Sequence, residues 1–405
     1  MCHYTLLINF DFNINYSAVL TDSILFKIYN NTSQLPENWN NFASENTFLT
    51  VAYLSILEQS APQNMRCHFI GLFKSNQLVG IALAQFLNAN HLESFGERDR
   101  CYKTKIRNFI FKNFASHVLF IGNNMLTGQN AFAILPEITI EAATKSLQQA
   151  AKTLTLQYKE NGIPIHLITF KDFSESESRQ FCLPDFKKYF LFSIQPNMVF
   201  ACHENWKSDV DYTNALSKKY RDQYKRARKK ALGVEKRKLH LDEIIAYEET
   251  IYELYLHVAK NAPFNTFFLE KNHFRVFKEK LKDQFLFYGY FMEKKLVGFN
   301  TLIKNGNGLD TYFLGYDESI QRDKMLYLNM LYDMIAYAIH KGFKEIIFAR
   351  TALEIKSSVG AKPVKMYGFI NHTNILLNLF MPIIFSYLEP ESVWQQRNPF
   401  KLPTD

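Results

Sequence analysis

Phe69-Ile-Gly-Leu-Phe-Lys-Ser-Asn-Gln-Leu-Val-Gly80 and Phe287-Tyr-Gly-Tyr-Phe-Met-Glu-Lys-Lys-Leu-Val-Gly298 are one segment written twice, with Phe, Gly, Phe, Leu, Val and Gly at matched positions. In each copy an apolar run stops at a few polar residues and resumes, as Ile81-Ala-Leu-Ala-Gln85 or as Phe299-Asn-Thr-Leu-Ile303. Two apolar runs around a short polar break predict a β-hairpin. The copies lie about 218 residues apart, too far for a solenoid unit, so they mark duplicated domains.

Working outward, each hairpin is followed by a strand-like run (118–122 and 309–315), a long helical pattern (139–159 and 324–341) and a closing strand (165–170 and 345–348). Leu328, Leu331, Ile335 and Ala338 carry the apolar face of the second long helix. Helical patterns also precede the hairpins, at 37–59 and 242–259. This alternation predicts an α/β chain whose mixed sheet is flanked by helices.

The composition accommodates two cores: 405 residues are 47% hydrophobic and 15% aromatic. The five cysteines, Cys2, Cys67, Cys101, Cys182 and Cys202, are scattered and lack zinc-ligand spacing, which fits a reducing compartment and no metal. The first 17 residues have no basic start and are interrupted by Asp11, so no signal peptide is expected. The longest apolar run, 375–388, is broken by Pro382 and falls short of the ~20 residues a membrane helix needs. It is expected to be a buried C-terminal helix, with shallow membrane contact as the alternative.

Charge is concentrated between the halves. Residues 217–238 hold eleven Lys or Arg against two acids, while the whole chain carries +8, so the remainder is nearly neutral. Leu216, Tyr220, Tyr224, Ala227 and Ala231 recur every three or four residues, predicting a helix that docks by a narrow apolar stripe. Its cations, Lys218, Lys219, Arg221, Lys225, Arg226, Arg228 and Lys229, are candidates for contact with an anionic partner such as tRNA, an acyl carrier protein or an anionic membrane surface. The aromatic residues lie on the stripe instead of interleaving with the charges, which speaks against a nucleic-acid stacking platform.

The order helix, antiparallel hairpin, strand, helix, strand resembles the GNAT acyltransferase fold. Two such lobes joined by a basic helix resemble the Fem-type aminoacyl and peptidyltransferases and related uncharacterised N-acyltransferases. Phe348-Ala-Arg-Thr-Ala-Leu-Glu-Ile-Lys-Ser-Ser-Val-Gly360 is similar to the segment closing their catalytic lobe, and Tyr312-Phe-Leu-Gly-Tyr316 to their fourth strand. The resemblance implies a mainly structural N-terminal lobe at 20–200, a linker with the basic helix at 201–240, a catalytic lobe at 241–390 and a tail at 391–405.

It further implies acyl or aminoacyl transfer to an amine by direct attack, with no covalent intermediate and no tightly bound cofactor. Acyl-CoA, acyl carrier protein or aminoacyl-tRNA would be the donor co-substrate, and an amine-bearing small molecule or lipid precursor the acceptor. Such chemistry needs a proton acceptor, a proton donor to the leaving group and contacts for anionic groups. Asp310 and Glu354 are the candidate acceptors, Tyr312 and Tyr316 the candidate donors, and Arg350 and Lys356, with Gln321 and Arg322, the donor-binding candidates. Asn300 and Asn329, polar residues within apolar patterns, are either acceptor-positioning groups or satisfied core amides.

The chain departs from the acetyltransferase pattern where a glycine-bearing pyrophosphate loop belongs. Gln321-Arg-Asp-Lys-Met-Leu326 has the first residue and neither glycine, and side chains there obstruct close backbone approach to a phosphate. That departure supports the rival expectation, a non-catalytic scaffold binding nucleic acid or another anionic partner through the basic helix. Either reading places the protein in the cytoplasm, or peripherally at the inner face of the membrane.

Overall fold

The structure, a computed structural model, describes residues 24–90, 112–181, 184–262, 265–383 and 394–401. Both halves contribute to one sheet. From the first half come β1 (Leu25–Tyr29), β2 (Met65–Lys74), β3 (Gln77–Asn88), β4 (His117–Ile121), β5 (Phe132–Ile134), β6 (Leu167–Phe173) and β7 (Phe190–Ala201). From the second come β8 (Glu235–Lys238), β9 (Phe285–Met292), β10 (Lys295–Asn305), β11 (Gly308–Tyr316), β12 (Glu345–Ile347) and β13 (Lys362–His372).

The repeated segment forms the hairpins β2–β3 and β9–β10, joined by two-residue turns at Ser75-Asn76 and Glu293-Lys294. All four turn residues have positive φ, between 49° and 66°, matching the twist of the flanking strands. The shared Gly and Phe have a packing cause. A Cβ on Gly71 would meet the Phe73 ring at 2.8 Å, and one on Gly289 would meet Phe291 at the same distance.

The strands lie in the order β1-β2-β3-β4-β6-β13-β7-β12-β11-β10-β9-β8, with β5 beside β3. Among the described residues only β4–β6 and β11–β12 are parallel pairs. The closing strands are exchanged at the centre: β13 lies between β6 and β7, and β7 pairs with β12. β7 therefore does not pair with β6, the strand that precedes it in sequence.

A single apolar layer covers one face of both halves. It joins Trp39, Phe48, Tyr53 and Leu57 to Phe274, Phe277, Phe287 and Phe299. On the other face, helix Ile140–Glu160 covers the first half, and helix Leu326–Lys341 with the basic helix Lys218–Lys230 covers the second.

The 37–59 pattern is broken into two short 3-10 turns and helix Val51–Ser60. Asn46 and Thr50 cause the breaks, because their side chains accept from the N–H groups of Phe48 and Tyr53 and start new turns. The 242–259 pattern splits at Tyr247 into Leu241–Ala246 and Glu248–Asn261. Among the described residues no helix is long and apolar enough to cross a membrane.

The expected burial of 375–388 is corrected. Helix Ile375–Leu379 is short and its apolar side chains point outward, Ile375 being 74% and Leu379 71% exposed. Residues 384–388 lie outside the described residues.

Candidate active site

β11 and β12 pair only from Gly308–Asp310 to Glu345–Ile347 and then part. The chain after β12 is turned away by Ala349, Thr351 and Ala352, with φ of 59°, 71° and 48°. Three non-glycine residues in the left-handed region within four positions store strain that the surrounding packing must hold. The opening is a cleft of about 520 Å³, within the range of small-molecule sites. Its walls are mostly apolar, including Leu126, Phe267, Phe313, Leu314 and Met334.

Asp310, Tyr312, Tyr316, Arg350 and Lys356 all line this cleft. Asp310 is 6% exposed, and burial, aided by the charge of Glu345 and opposed by a hydrogen bond from Asn305, pushes its carboxyl up to about 7. Lys356 is 4% exposed, and burial alone brings its ammonium down to about 7. It donates to the carbonyls of Arg350 at 2.8 Å and Ala349 at 3.3 Å, so the strained loop is also the ammonium's cradle. The fraction of each group in its less common charge state near neutrality is far above that of an exposed Asp or Lys.

The two tyrosines differ. His273 is buried and neutral, its pKa lowered to about 4 by desolvation. Its Nδ1 sits 2.9 Å from the carbonyl of Ser60, so Nδ1 carries the proton and Nε2 accepts. The Tyr312 hydroxyl therefore donates to Nε2 at 2.9 Å, and its proton is directed away from the cleft. This corrects its assignment as proton donor to a leaving group. Tyr316 is half-buried on the cleft wall beside Tyr327, with ring centroids 6.3 Å apart, and burial raises its pKa.

Arg350 is ion-paired with Asp172 of the first half, whose carboxylate also pairs with Lys171. The Lys171 ammonium is fully engaged, donating to the carbonyls of Asn123 at 2.9 Å and Leu126 at 3.3 Å, and burial lowers its pKa. Asp172 follows Phe170 by two residues and Arg350 follows Phe348 by two, so matched positions of the duplicated halves bind each other. Sequence reasoning missed Lys171 and Asp172. Two adjacent charges between Phe170 and Phe173, in a strand buried throughout, were the available signal.

The first half also contributes Asn124, Met125, Leu126 and Thr127 to the cleft wall. Its expected structural role is thus accompanied by a direct share in the site.

Glu354, Gln321 and Arg322 do not line the cleft. Glu354 faces the C-terminal tail, accepting from the Gln395 N–H at 3.0 Å and from Arg397 at 3.4 Å, and these bonds lower its pKa. Gln321 and Arg322 lie in helix Glu318–Lys324, where Arg322 bonds Glu318 one turn back at 2.7 Å. That helix, ended by the left-handed Met325, occupies the place of the expected phosphate loop. Asn329 bonds the carbonyls of Ala227 and Met325 and accepts from Arg228, and Asn300 Oδ1 lies 3.0 Å from the Tyr290 hydroxyl, so both belong to the core.

The basic helix docks as its stripe predicts, with Tyr220 and Ala227 buried. Arg228 is corrected from partner contact to anchor: it bonds Asp333 at 2.7 Å and lies over the rings of Tyr224 and Tyr332. Lys218, Lys219, Lys225, Arg226 and Lys229 are exposed, and Arg221 is half-buried. Arg228→Ala is expected to lower the free energy of unfolding by about 2 kcal/mol, measured by urea denaturation. The combined Lys225→Gln, Arg226→Gln and Lys229→Gln changes are expected to leave it within about 0.5 kcal/mol.

Among the described residues no group of three or more His, Cys, Asp or Glu is placed to hold a metal ion. No family model and no curated protein matches the sequence. The solved structure of FemX matches at 11% identity and a TM-score of 0.53, over 85% of this chain and 98% of FemX. A tandem GNAT protein from the clavulanic acid biosynthesis pathway matches at 9% identity and a TM-score of 0.48, over 87% of this chain and 99% of its own. L-PGS from Bacillus licheniformis matches at 11% identity and a TM-score of 0.46, over 82% and 94%. Two hairpin-centred halves, each with one parallel strand pair, and closing strands exchanged at the centre of one sheet give this chain the fold seen in FemX.

Proposed function

We propose that the protein transfers an acyl or aminoacyl group from an activated donor to an amine, in the cleft between β11 and β12. The observation that carries the reading is a buried carboxyl and a buried ammonium, each with a pKa near 7, lining one largely apolar cleft. The acceptor nitrogen forms the new bond to the acyl carbon as the bond from that carbon to the donor's sulfur or oxygen breaks. Asp310, ionised, takes the proton lost by the nitrogen. Lys356, charged, stabilises the developing oxyanion, and Tyr316 or Lys356 returns a proton to the leaving group.

The cleft shares Ala259, Asn265 and Phe267 with an adjoining trough of about 910 Å³ that also holds Asn64, Arg66, Asn88 and Lys260. A polar acceptor suits this approach. The donor is a thioester or an aminoacyl-tRNA, and the exposed cations of the basic helix are the surface on which an acyl carrier protein or tRNA would rest. Helix Glu318–Lys324 in place of a glycine loop favours a second reading, a scaffold that binds anionic partners without turnover.

Thermal unfolding with acetyl-CoA, long-chain acyl-CoA, acyl carrier protein, charged tRNA or duplex DNA separates the two. A donor at 100 times its Kd adds about 2.7 kcal/mol. The enzyme reading expects a shift with one acyl donor that Lys356→Ala removes. A shift with nucleic acid alone, unchanged in that variant, selects the scaffold.

A further inference from the structure

We propose that the apolar face of helix Ile375–Leu379 is a docking surface for an anionic lipid bilayer. Ile375, Leu376, Leu379 and Phe380 are 74%, 65%, 71% and 55% exposed, four large apolar side chains within six residues. Phe114, whose carbonyl accepts from His372 Nε2 at 2.8 Å, adds a fifth at 42%. A lone exposed apolar side chain is ordinary, but a contiguous group of this size marks contact with another apolar phase.

The helix is held in this attitude by its polar residues. Asn374 caps it, Asn378 Oδ1 accepts from the His372 N–H at 2.8 Å, and Asn378 Nδ2 donates to the Lys188 carbonyl at 2.8 Å. Met381 faces inward, packed on Val118, Leu167 and Ile370. The outward apolar face is therefore fixed by hydrogen bonds and by one buried side chain on its inner side.

Charge selects the occupant. No acid occurs from Ile375 to Ile383; the segment that holds the helix through the Lys188 carbonyl carries exposed Lys187 and Lys188, with Asp185 as an opposing charge, and exposed Lys112 lies two residues before Phe114. Apolar side chains at the surface with cations beside them suit shallow insertion beneath anionic headgroups. An acidic or neutral apolar groove on a protein partner would satisfy the apolar part of this pattern without needing the lysines.

β7 links the patch to the chemistry. It begins at Phe190, paired with Ile370 just before the helix, and seven residues later reaches Asn197, which is hydrogen-bonded by Thr127 of the cleft wall. Extended strand covers that interval in about 23 Å. A bilayer docked on the helix would therefore lie within reach of an acceptor carried on a lipid. The docking itself stands whether or not the cleft performs acyl transfer.

The test is flotation of the full chain with vesicles of phosphatidylcholine alone and of phosphatidylcholine with one-third phosphatidylglycerol. The expected result is flotation on the anionic vesicles, reduced about tenfold by Leu376→Ser with Leu379→Ser and Phe380→Ser. Lys187→Glu with Lys188→Glu is expected to lower flotation on anionic vesicles by a similar factor and to leave flotation on neutral ones unchanged. Both variants alter exposed side chains and are expected to keep the parent Tm. The proposal is overturned if the parent protein does not float. Equal flotation of the triple-serine variant also overturns it, as does a parent dimer that the same changes turn into a monomer while neither protein floats.

Discussion

Lys356→Met is expected to give a protein that is more stable and almost inactive. Holding an ammonium in the fold until about pH 7, against an ordinary value of 10.5, means that the charged form is disfavoured by roughly 5 kcal/mol relative to the unfolded chain. Methionine fills similar space without that cost but leaves the carbonyls of Ala349 and Arg350 without their donor, which returns about 2 kcal/mol. A net gain of about 3 kcal/mol at pH 6, read from urea unfolding, is the expected outcome. The pH dependence fixes the cause. Between 7 and 10.5 the unfolded chain holds the Lys356 proton and the native protein does not, so native stability rises with pH across that window. The variant should lack this component, and its advantage should shrink as pH rises from 7 to 10. Turnover should fall at least a hundredfold, because no other ammonium replaces the lost one in stabilising charge on the reacting carbonyl. A variant no more stable than the parent at pH 6 would mean that Lys356 is solvated.

Asp310→Asn is expected to lower kcat by about 10²- to 10⁴-fold with little change in donor KM. The parent rate should decline as pH falls below about 7, where the carboxylate takes up its proton, and the low residual rate of the variant should lack that decline, because Lys356 only gains charge in that direction. Stability moves in the opposite sense from that of Lys356. The folded pKa of Asp310 is raised above its ordinary 3.8, so its favourable contribution is complete below 3.8 and is lost as pH rises through 7. The asparagine variant should accordingly match the parent at pH 4 and exceed it at pH 8 by up to about 4 kcal/mol. An unaltered pH profile would remove Asp310 from the chemistry.

The features legible in the sequence were those that break a local pattern. The duplicated hairpin announced itself through Gly71 and Gly289, each making room for a phenylalanine two residues on. Asp310, Arg350 and Lys356 stood out as charges in or beside buried strands, and all three face the cleft. Orientation was the harder part. Glu354 and Lys356 are two residues apart on helix Leu353–Ser358, so if one points into the protein the other points out, and the sequence does not say which. Arg228 differs from Arg226 in the same manner, because only one of them reaches Asp333 on another helix. The placement of β13 beside β6, some 190 residues earlier, depends on partners brought together only by the finished fold.

That placement has a consequence for how the molecule is made. β13 is the last strand of the sheet to be synthesised, yet it occupies a central position, flanked by two strands of the first half. While the chain is still being extended, β6 lacks a partner on one edge and β7 on both until β12 is made, and the gap between them can be filled only by residues that have not yet been translated. The first half therefore leaves the ribosome as an unfinished object. It must wait, through the synthesis of the whole second half, for the segment that closes it. Any truncation before Lys362 would leave β6 and β7 facing an empty slot, so the first half depends for its closure on the last residues of the second.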